Sequence, residues 1–343
     1  MAKQQTEQKQ KTEKTEKAAQ KKSAAATNVL DPAKARDRLA ATGRNDACPC
    51  GSEKKYKKCH LAADEQAAAP APVAPDAKEL LTNAWRLFEQ RRPGAAEKEF
   101  RAALAVDGEL MDARVGIGMA RLSAGNTEGA KEELGAVLTA TETKAESVRA
   151  AAGDKPKDGF SQPEVQPYIR AAHALGCLAY DEEHYDEAVK ELARVHSIDD
   201  GNVGIEARLI AAKALMKLEK PADAAALLEP VAKLEAAGSR VPLGLALARF
   251  AAGDEAAARK ALDTALEANP HYGKTLLGRI RRRVENVAGA QPGSVEEALL
   301  YTQTYGDVWT DAAKKFLEEV MDARAAARKP AATAEEPTEE ASP

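Results

Sequence analysis

One pattern recurs five times along the chain: a small residue, then a second small residue 12 positions on, a large apolar residue four further, and a small or β-branched residue three beyond that. The five sets are Ala84, Ala96, Phe100, Ala103; Gly118, Ala130, Leu134, Val137; Gly176, Ala188, Leu192, Val195; Ala212, Ala224, Leu228, Val231; and Ala246, Ala258, Leu262, Ala265. Steps of four and three keep the last three residues of each set on one helical face. The step of 12 crosses a turn from a preceding helix. Gly118 follows Ala84 by 34 residues, and Ala246 follows Ala212 by 34. The small residues let the paired helices approach closely, and the large one is expected to pack into the next repeat. One such pair cannot bury its apolar stripe alone, so neighbouring pairs must stack. Turn residues fall between the paired helices: Arg92-Pro93-Gly94, Gly125-Asn126, Glu182-Glu183-His184 and Gly253-Asp254.

Composition agrees with an all-α chain. Aromatic residues are only 4% of 343 residues, too few for a sandwich or barrel that leans on aromatic and β-branched side chains. Abundant Ala, Leu and Glu favour helix. No run approaches 18 apolar residues, so no membrane span is expected. The basic N-terminus lacks an apolar stretch behind it, so no secretory signal is read there and a cytoplasmic protein is expected. A 34-residue helical period resembles the tetratricopeptide (TPR) family. The resemblance covers about residues 77–287. It implies a helical solenoid with a protein partner in its groove.

The rest of the chain is organised around this body. Residues 1–42 read as a disordered basic arm ending in a short helix over 28–42, capped by Asp31 with Pro32 at the first position. Residues 1–60 hold 15 basic and 7 acidic side chains; the remaining 283 hold 35 and 47. Such a basic arm favours an anionic partner. Residues 61–76 read as an extended Ala/Pro linker that decouples what lies on either side. An insertion interrupts the repeats at about 139–166, loop-like in its middle. Residues 271–283 read as a capping helix with a basic end, and 288–328 as two further capping helices split at Tyr305-Gly306-Asp307. The tail at 329–343 is acidic and reads as disordered.

Residues 43–60, GRNDACPCGSEKKYKKCH, concentrate three of the four cysteines. Cys48, Cys50, Cys59 and His60 form C-x-C-x8-C-H. Three thiolates and an imidazole suit a closed tetrahedral structural Zn²⁺ site. Cys-Pro-Cys-Gly turns tightly and presents both sulfurs to one metal. Zinc would supply folding energy that so short a segment lacks. The centre would carry a charge of −1, offset by Arg44, Lys54, Lys55, Lys57 and Lys58. This stretch closely resembles the SEC-C motif, the zinc-binding module at the C-terminus of the protein-export motor SecA. It departs from the family pattern at Ala47, where Pro is usual, and at Glu53, where Gly is common. Glu53 leaves the turn in question, because Gly accepts positive φ and Glu does so less readily.

The SEC-C resemblance implies a docking module contacting a SecB-like chaperone or the ribosome. RNA is the alternative partner, with Arg44, Lys54, Lys55, Lys57 and Lys58 as the basic surface and Tyr56 able to stack on a base. No G-x-x-x-x-G-K-[ST] phosphate loop occurs in the chain. Cys177, with His173 four residues earlier, reads as a small core hydrophobe, since no third group orients a nucleophile–base pair. The Asp199-Asp200 run reads as a helix stop, and Arg281, Arg282 and Arg283 as a basic helix end. The expected protein is a non-enzymatic, zinc-binding TPR adaptor or chaperone-like protein at the ribosome or the export machinery.

Overall fold

The computed structural model describes residues 31–68, 76–153, 156–234, 237–284 and 290–328. The arm and tail expected at 1–27 and 329–343, and the linker at 69–75, lie outside them. The chain divides into two compact units, Met1–Pro75 and Asp76–Pro343.

In the first unit, α1 (Pro32–Ala41) is capped by the Asp31 carboxylate, which accepts from the Ala33 amide at 3.0 Å. A turn-rich segment follows, closed by an isolated bridge between Ala47 and Lys55 and a 3₁₀ turn at Tyr56–Lys58. Then comes α2 (Leu61–Ala68). Residues 61–68 are therefore helix, not extended linker. The Pro residues at 70, 72 and 75 dominate the composition there, yet LAADEQAA is made of good helix formers.

The second unit is helix after helix among its described residues. It comprises α3 (Ala77–Glu89), α4 (Pro93–Val106), α5 (Met111–Ser123), α6 (Thr127–Ala152), α7 (Gln166–Asp181), α8 (Tyr185–His196), α9 (Asn202–Lys217), α10 (Pro221–Leu228), α11 (Arg240–Ala251), α12 (Glu255–Ala268), α13 (His271–Leu276), α14 (Val295–Tyr305) and α15 (Asp311–Arg328). Every residue of the fivefold pattern is buried. Phe100, Leu134, Leu192 and Leu262 are 0% exposed and Leu228 is 1%.

The large residues do not all reach into the next repeat. Phe100 abuts Gly116 and Leu228 abuts Gly244, both on the following helix pair. Leu134 abuts Gly118 and Leu192 abuts Gly176, within their own pair. A Cβ built on Gly176 would lie 2.5 Å from Leu192, so no larger residue fits without a shift.

The turns inside the five pairs share one backbone device. Arg91, Gly125, Glu183, Glu219 and Gly253 all have positive φ, between 57° and 86°. The next amide in each reaches back to a carbonyl five residues earlier, as His184 does to Ala179 at 2.8 Å and Asp254 to Arg249 at 2.9 Å. This is a Schellman-type stop, usually reserved for Gly. Only two of the five are Gly, so glycine content alone does not mark these turns.

The first half of the segment read as an insertion, up to position 152, is helix, and the loop follows it. Helix α6 runs for 26 residues, through position 152, and α7 starts at Gln166; the described residues between them, 153 and 156–165, are not helical. That loop is pinned to the α8–α9 turn. The Asp199 carboxylate accepts from the Phe160 amide at 3.0 Å and the Gly204 amide at 2.8 Å. Asp200 accepts from the Lys157 amide at 3.0 Å and pairs with Arg208 at 2.8 Å. The two aspartates thus anchor the loop as well as ending a helix. At the far end, Phe316 of α15 stacks on Phe250 of α11, with ring centroids 4.6 Å apart, and Leu317 is fully buried. The last two helices therefore cap the apolar stripe, whereas the helix expected over 271–283 ends at Leu276.

Candidate metal centre and concave groove

Cys48 and Cys50 sit on the first turn of the 43–60 segment, where the Gly51 amide donates to the Cys48 carbonyl at 3.1 Å and Gly51 takes φ 74°. Glu53 follows with φ 59°, so Glu adopts the left-handed conformation at the position where the motif commonly has Gly. The Cys48 amide donates to Lys54 at 2.9 Å and the Tyr56 amide to Asp46 at 2.8 Å, folding the segment back on itself. Cys59 and His60 then follow the 3₁₀ turn. The His60 carbonyl accepts from the Asp64 amide at 2.8 Å, which fixes the start of α2.

The three sulfurs and the His60 ring nitrogen lie within 4.8 Å of one another. Cys48 Sγ and Cys59 Sγ are each 3.2 Å from His60 Nδ1, and Cys50 Sγ is 3.6 Å from Cys59 Sγ. A tetrahedral Zn²⁺ with sulfur at about 2.3 Å and nitrogen at about 2.0 Å requires donor separations of about 3.5–3.8 Å. The donor set fits such an ion: the 3.6 Å sulfur–sulfur distance falls within these separations, and the two 3.2 Å sulfur–nitrogen distances are shorter. All three thiols are free, with no disulfide. Burial pushes the Cys48 thiol up to about 11, while a hydrogen bond from the Ser52 hydroxyl pulls Cys50 down to about 6.

A group absent from the sequence reading holds this centre from behind. Asp64 of α2 is fully buried. Arg38 of α1 grips its carboxylate through two nitrogens, at 2.9 and 2.5 Å, and the Tyr56 hydroxyl donates to it at 2.7 Å. The guanidinium hydrogen bond holds the Asp64 carboxyl below the usual range. Burial, reinforced by Asp64, pushes Tyr56 up to about 12. Tyr56 is 0% exposed, so it is an internal strut and not the exposed stacking residue expected for RNA. Arg44, Lys54, Lys55, Lys57 and Lys58 are all exposed around the centre. The Arg38–Asp64 pair spans 26 residues and has no local signature in the sequence.

The second unit carries a groove of about 990 Å³. The first helix of each pair lines it: Trp85 on α3, Met119 and Leu122 on α5, Cys177 and Leu178 on α7, Val203 and Glu206 on α9, Arg240 on α11. Phe160 from the insertion loop closes one wall, so the insertion does reach the groove. The Arg170 guanidinium lies 5.8 Å from the Trp85 ring centre and 5.7 Å from that of Phe160, and pairs with Asp112 at 2.7 Å. Cys177 faces this groove and does not sit in the core. Its Sγ is 3.6 Å from His173 Nδ1. Burial pushes the thiol up to about 12 and lowers His173, so the pair stays neutral at pH 7 and supplies no activated nucleophile.

Residues 44–62 match the SEC-C motif, and residues 81–144 and 211–272 match the tetratricopeptide repeat. The chain carries a SEC-C motif joined to TPR repeats. A 26-residue stretch is 77% identical to the protein translocase subunit SecA of Desulforudis audaxviator (strain MP104C), covering 8% of this chain and 3% of that protein. Among solved structures, the chain resembles PilF from Pseudomonas aeruginosa (14% identity, TM-score 0.43, covering 74% of this chain and 91% of that one). It also resembles YrrB, described as a TPR protein with an unusual peptide-binding site (17%, 0.39, covering 56% and 86%). A thermophilic TPR protein of Thermus thermophilus is similar at 19% identity and TM-score 0.34, covering 56% and 90%. TPR repeats point to a protein-binding scaffold, and the SEC-C motif with its Cys₃His cluster to metal binding. No helix among the described residues is long and apolar enough to cross a membrane.

Proposed function

We propose that this protein is a non-enzymatic cytoplasmic adaptor with two docking parts. In the SEC-C module, Cys48, Cys50 and Cys59 hold one Zn²⁺ as thiolates, with His60 Nδ1 as the fourth ligand. The ion is structural: all four positions are protein donors, leaving none for a substrate. In the TPR unit, the groove binds a segment of a protein partner. The observation that carries this reading is the groove itself, lined mostly by apolar surface from the first helix of every pair.

The module's partner is a protein of the export machinery or the ribosome, contacted through Arg44, Lys54, Lys55, Lys57 and Lys58. The 26-residue stretch that is 77% identical to a translocase subunit supports that context. An RNA partner would have to be held by these cations alone, because Tyr56 is buried. The test pairs metal content with affinity capture from lysate, using the full chain, a Cys48→Ser, Cys50→Ser variant and a groove variant, Val203→Arg. Each variant should lose a different set of captured proteins. Capture sets unchanged in both variants would sink the two-site adaptor.

A further inference from the structure

The charges lining the groove are not evenly satisfied. Five charged side chains line it: Glu89, Arg170, Asp181, Glu206 and Arg240. Both arginines are committed. Arg170 pairs with Asp112 at 2.7 Å, and Arg240 pairs with Glu206 at 2.5 Å. Glu206 is taken twice over, since the Tyr305 hydroxyl also donates to it at 2.6 Å. Glu89 and Asp181 are exposed and have no ion-pair partner among the described residues.

Their placement sharpens the imbalance. Glu89 is the last residue of α3 and Asp181 the last of α7. Each adds a carboxylate to a helix end that already carries partial negative charge. Folding gains nothing from an acid there. Helix α5 packs against both α3 and α7 and brings Met119 and Leu122 to the groove; with Ala174 and Leu178 of α7 they line it without a charge.

We infer that the segment docking in this groove is apolar at its centre and basic at its flanks, and belongs to another protein. The inference rests on the groove reading above. Neither residues 1–30 nor residues 329–343 have that chemistry. Residues 1–30 are basic, and their only Leu, Ile, Val, Phe, Tyr or Trp are Val29 and Leu30 at the end adjoining α1, so no apolar centre lies between two basic flanks within them. Residues 329–343 carry four Glu against one Lys, so the rim repels them. Lysines flanking an apolar core would meet Glu89 and Asp181 while the arginines remained bound to their own acids.

The test uses the full chain and three fluorescein-labelled nonapeptides with one Leu/Phe centre, flanked by lysines, glutamines or glutamates. In low salt, fluorescence anisotropy should rank them lysine, glutamine, glutamate, with about a tenfold span between the ends. The span should shrink as salt rises. In the Glu89→Gln, Asp181→Asn variant the lysine preference should fall to near onefold, while the glutamine-flanked peptide binds unchanged. Neutralising two exposed helix-end acids leaves folding intact. Val203→Arg should abolish binding of all three. Equal binding of the three peptides, or tightest binding of the glutamate-flanked one, overturns the charge inference and leaves the groove reading standing. Binding that survives Val203→Arg, or no binding by any peptide, overturns both.

Discussion

The two units of this chain reach a fixed structure by opposite routes. Residues 31–68 have three buried apolar-type side chains, Ala35, Cys48 and Tyr56, among their described residues. Their geometry is set by a buried ion pair, a ring of backbone hydrogen bonds and four ligand atoms clustered within 4.8 Å. Residues 76–328 hold themselves by packing, with apolar clusters that pass from one helix pair to the next. The first unit is too small to stabilise itself by burial. The second repeats one kind of contact, a large side chain seated on a glycine as at Phe100, Leu134, Leu192 and Leu228, until the sum suffices. The same kind of change should therefore have different consequences in the two.

Removing the metal is the strongest way to separate them. Structural Zn²⁺ contributes about 10–16 kcal/mol to small zinc modules near pH 7. Chelation should therefore unfold residues 43–60, release the order of α1 and α2, and leave α3–α15 folded. Hydrogen exchange should show full loss of amide protection around Cys48, Tyr56 and Asp64, with protection in α7 and α9 unchanged. Far-UV circular dichroism should fall only slightly, because α1 and α2 contain 10 and 8 residues. A large loss of helicity would mean that the solenoid leans on the metal, and the contrast would collapse.

Truncating a packing residue should do the reverse. Leu192 is fully buried, seated against Gly176, and Leu192→Ala should cost about 2–5 kcal/mol of solenoid stability. Denaturant melting followed by circular dichroism measures the loss, while zinc stoichiometry should stay at one per chain. Reduced zinc content in this variant would show coupling that the contrast denies.

These two expectations track what the sequence made legible. The repeat was readable because helix pairs can meet only through residues at fixed steps, and Phe100, Leu134, Leu192, Leu228 and Leu262 obey those steps. The ligand set was readable because thiolates and imidazole at short spacing have few other uses. What was missed lies in long-range pairing. Arg38 and Asp64 find each other only once α1 and α2 are folded, so Asp64 was passed over within a segment read as linker. Tyr56 looked like an exposed aromatic because its partner was that same aspartate. The 153–165 loop was recognised as irregular, but its anchor on Asp199 and Asp200, distant in the chain, was not.

Asp64 tests the middle scale. Asp64→Ala removes the acceptor that Arg38 and Tyr56 share, and should weaken zinc binding about 10–100-fold, as loss of a supporting residue behind metal ligands does. Competition with a calibrated chelator measures it, and the solenoid melt should not move. The carboxyl's depressed pKa fixes the sign with pH: the stabilisation from Asp64 is complete above the unfolded value of about 3.9 and is lost as pH falls through the lower folded value. Thiolate protonation releases the metal, and with it the fold of the module, at higher pH, so the Asp64 contribution is fully present throughout the pH range in which zinc is bound. Zinc affinity unchanged by Asp64→Ala near neutral pH would remove the pair from the account.

The smallest effect compares one backbone feature in both units. Glu53 beside the metal ligands and Glu219 between α9 and α10 both adopt positive φ, at 59° and 57°. The left-handed conformation costs a non-glycine residue about 1–2 kcal/mol, whereas glycine loses about 0.5–1 kcal/mol through its greater unfolded-state freedom. Replacement by glycine should thus gain from a few tenths up to about 1 kcal/mol at either place. The readouts should differ. Glu219→Gly should raise the solenoid's melting temperature by about 2–4 °C at most, and leave zinc affinity alone. Glu53→Gly should leave the melt alone and tighten zinc binding by up to about fivefold, since folding of that segment and metal capture are one equilibrium. The control is Gly125→Ala, at φ 78°, which should lower the melt by a similar amount. A shift of the solenoid melt by Glu53→Gly would mean that strain in the metal unit is felt by the packed one, and the two routes to stability would not be separate.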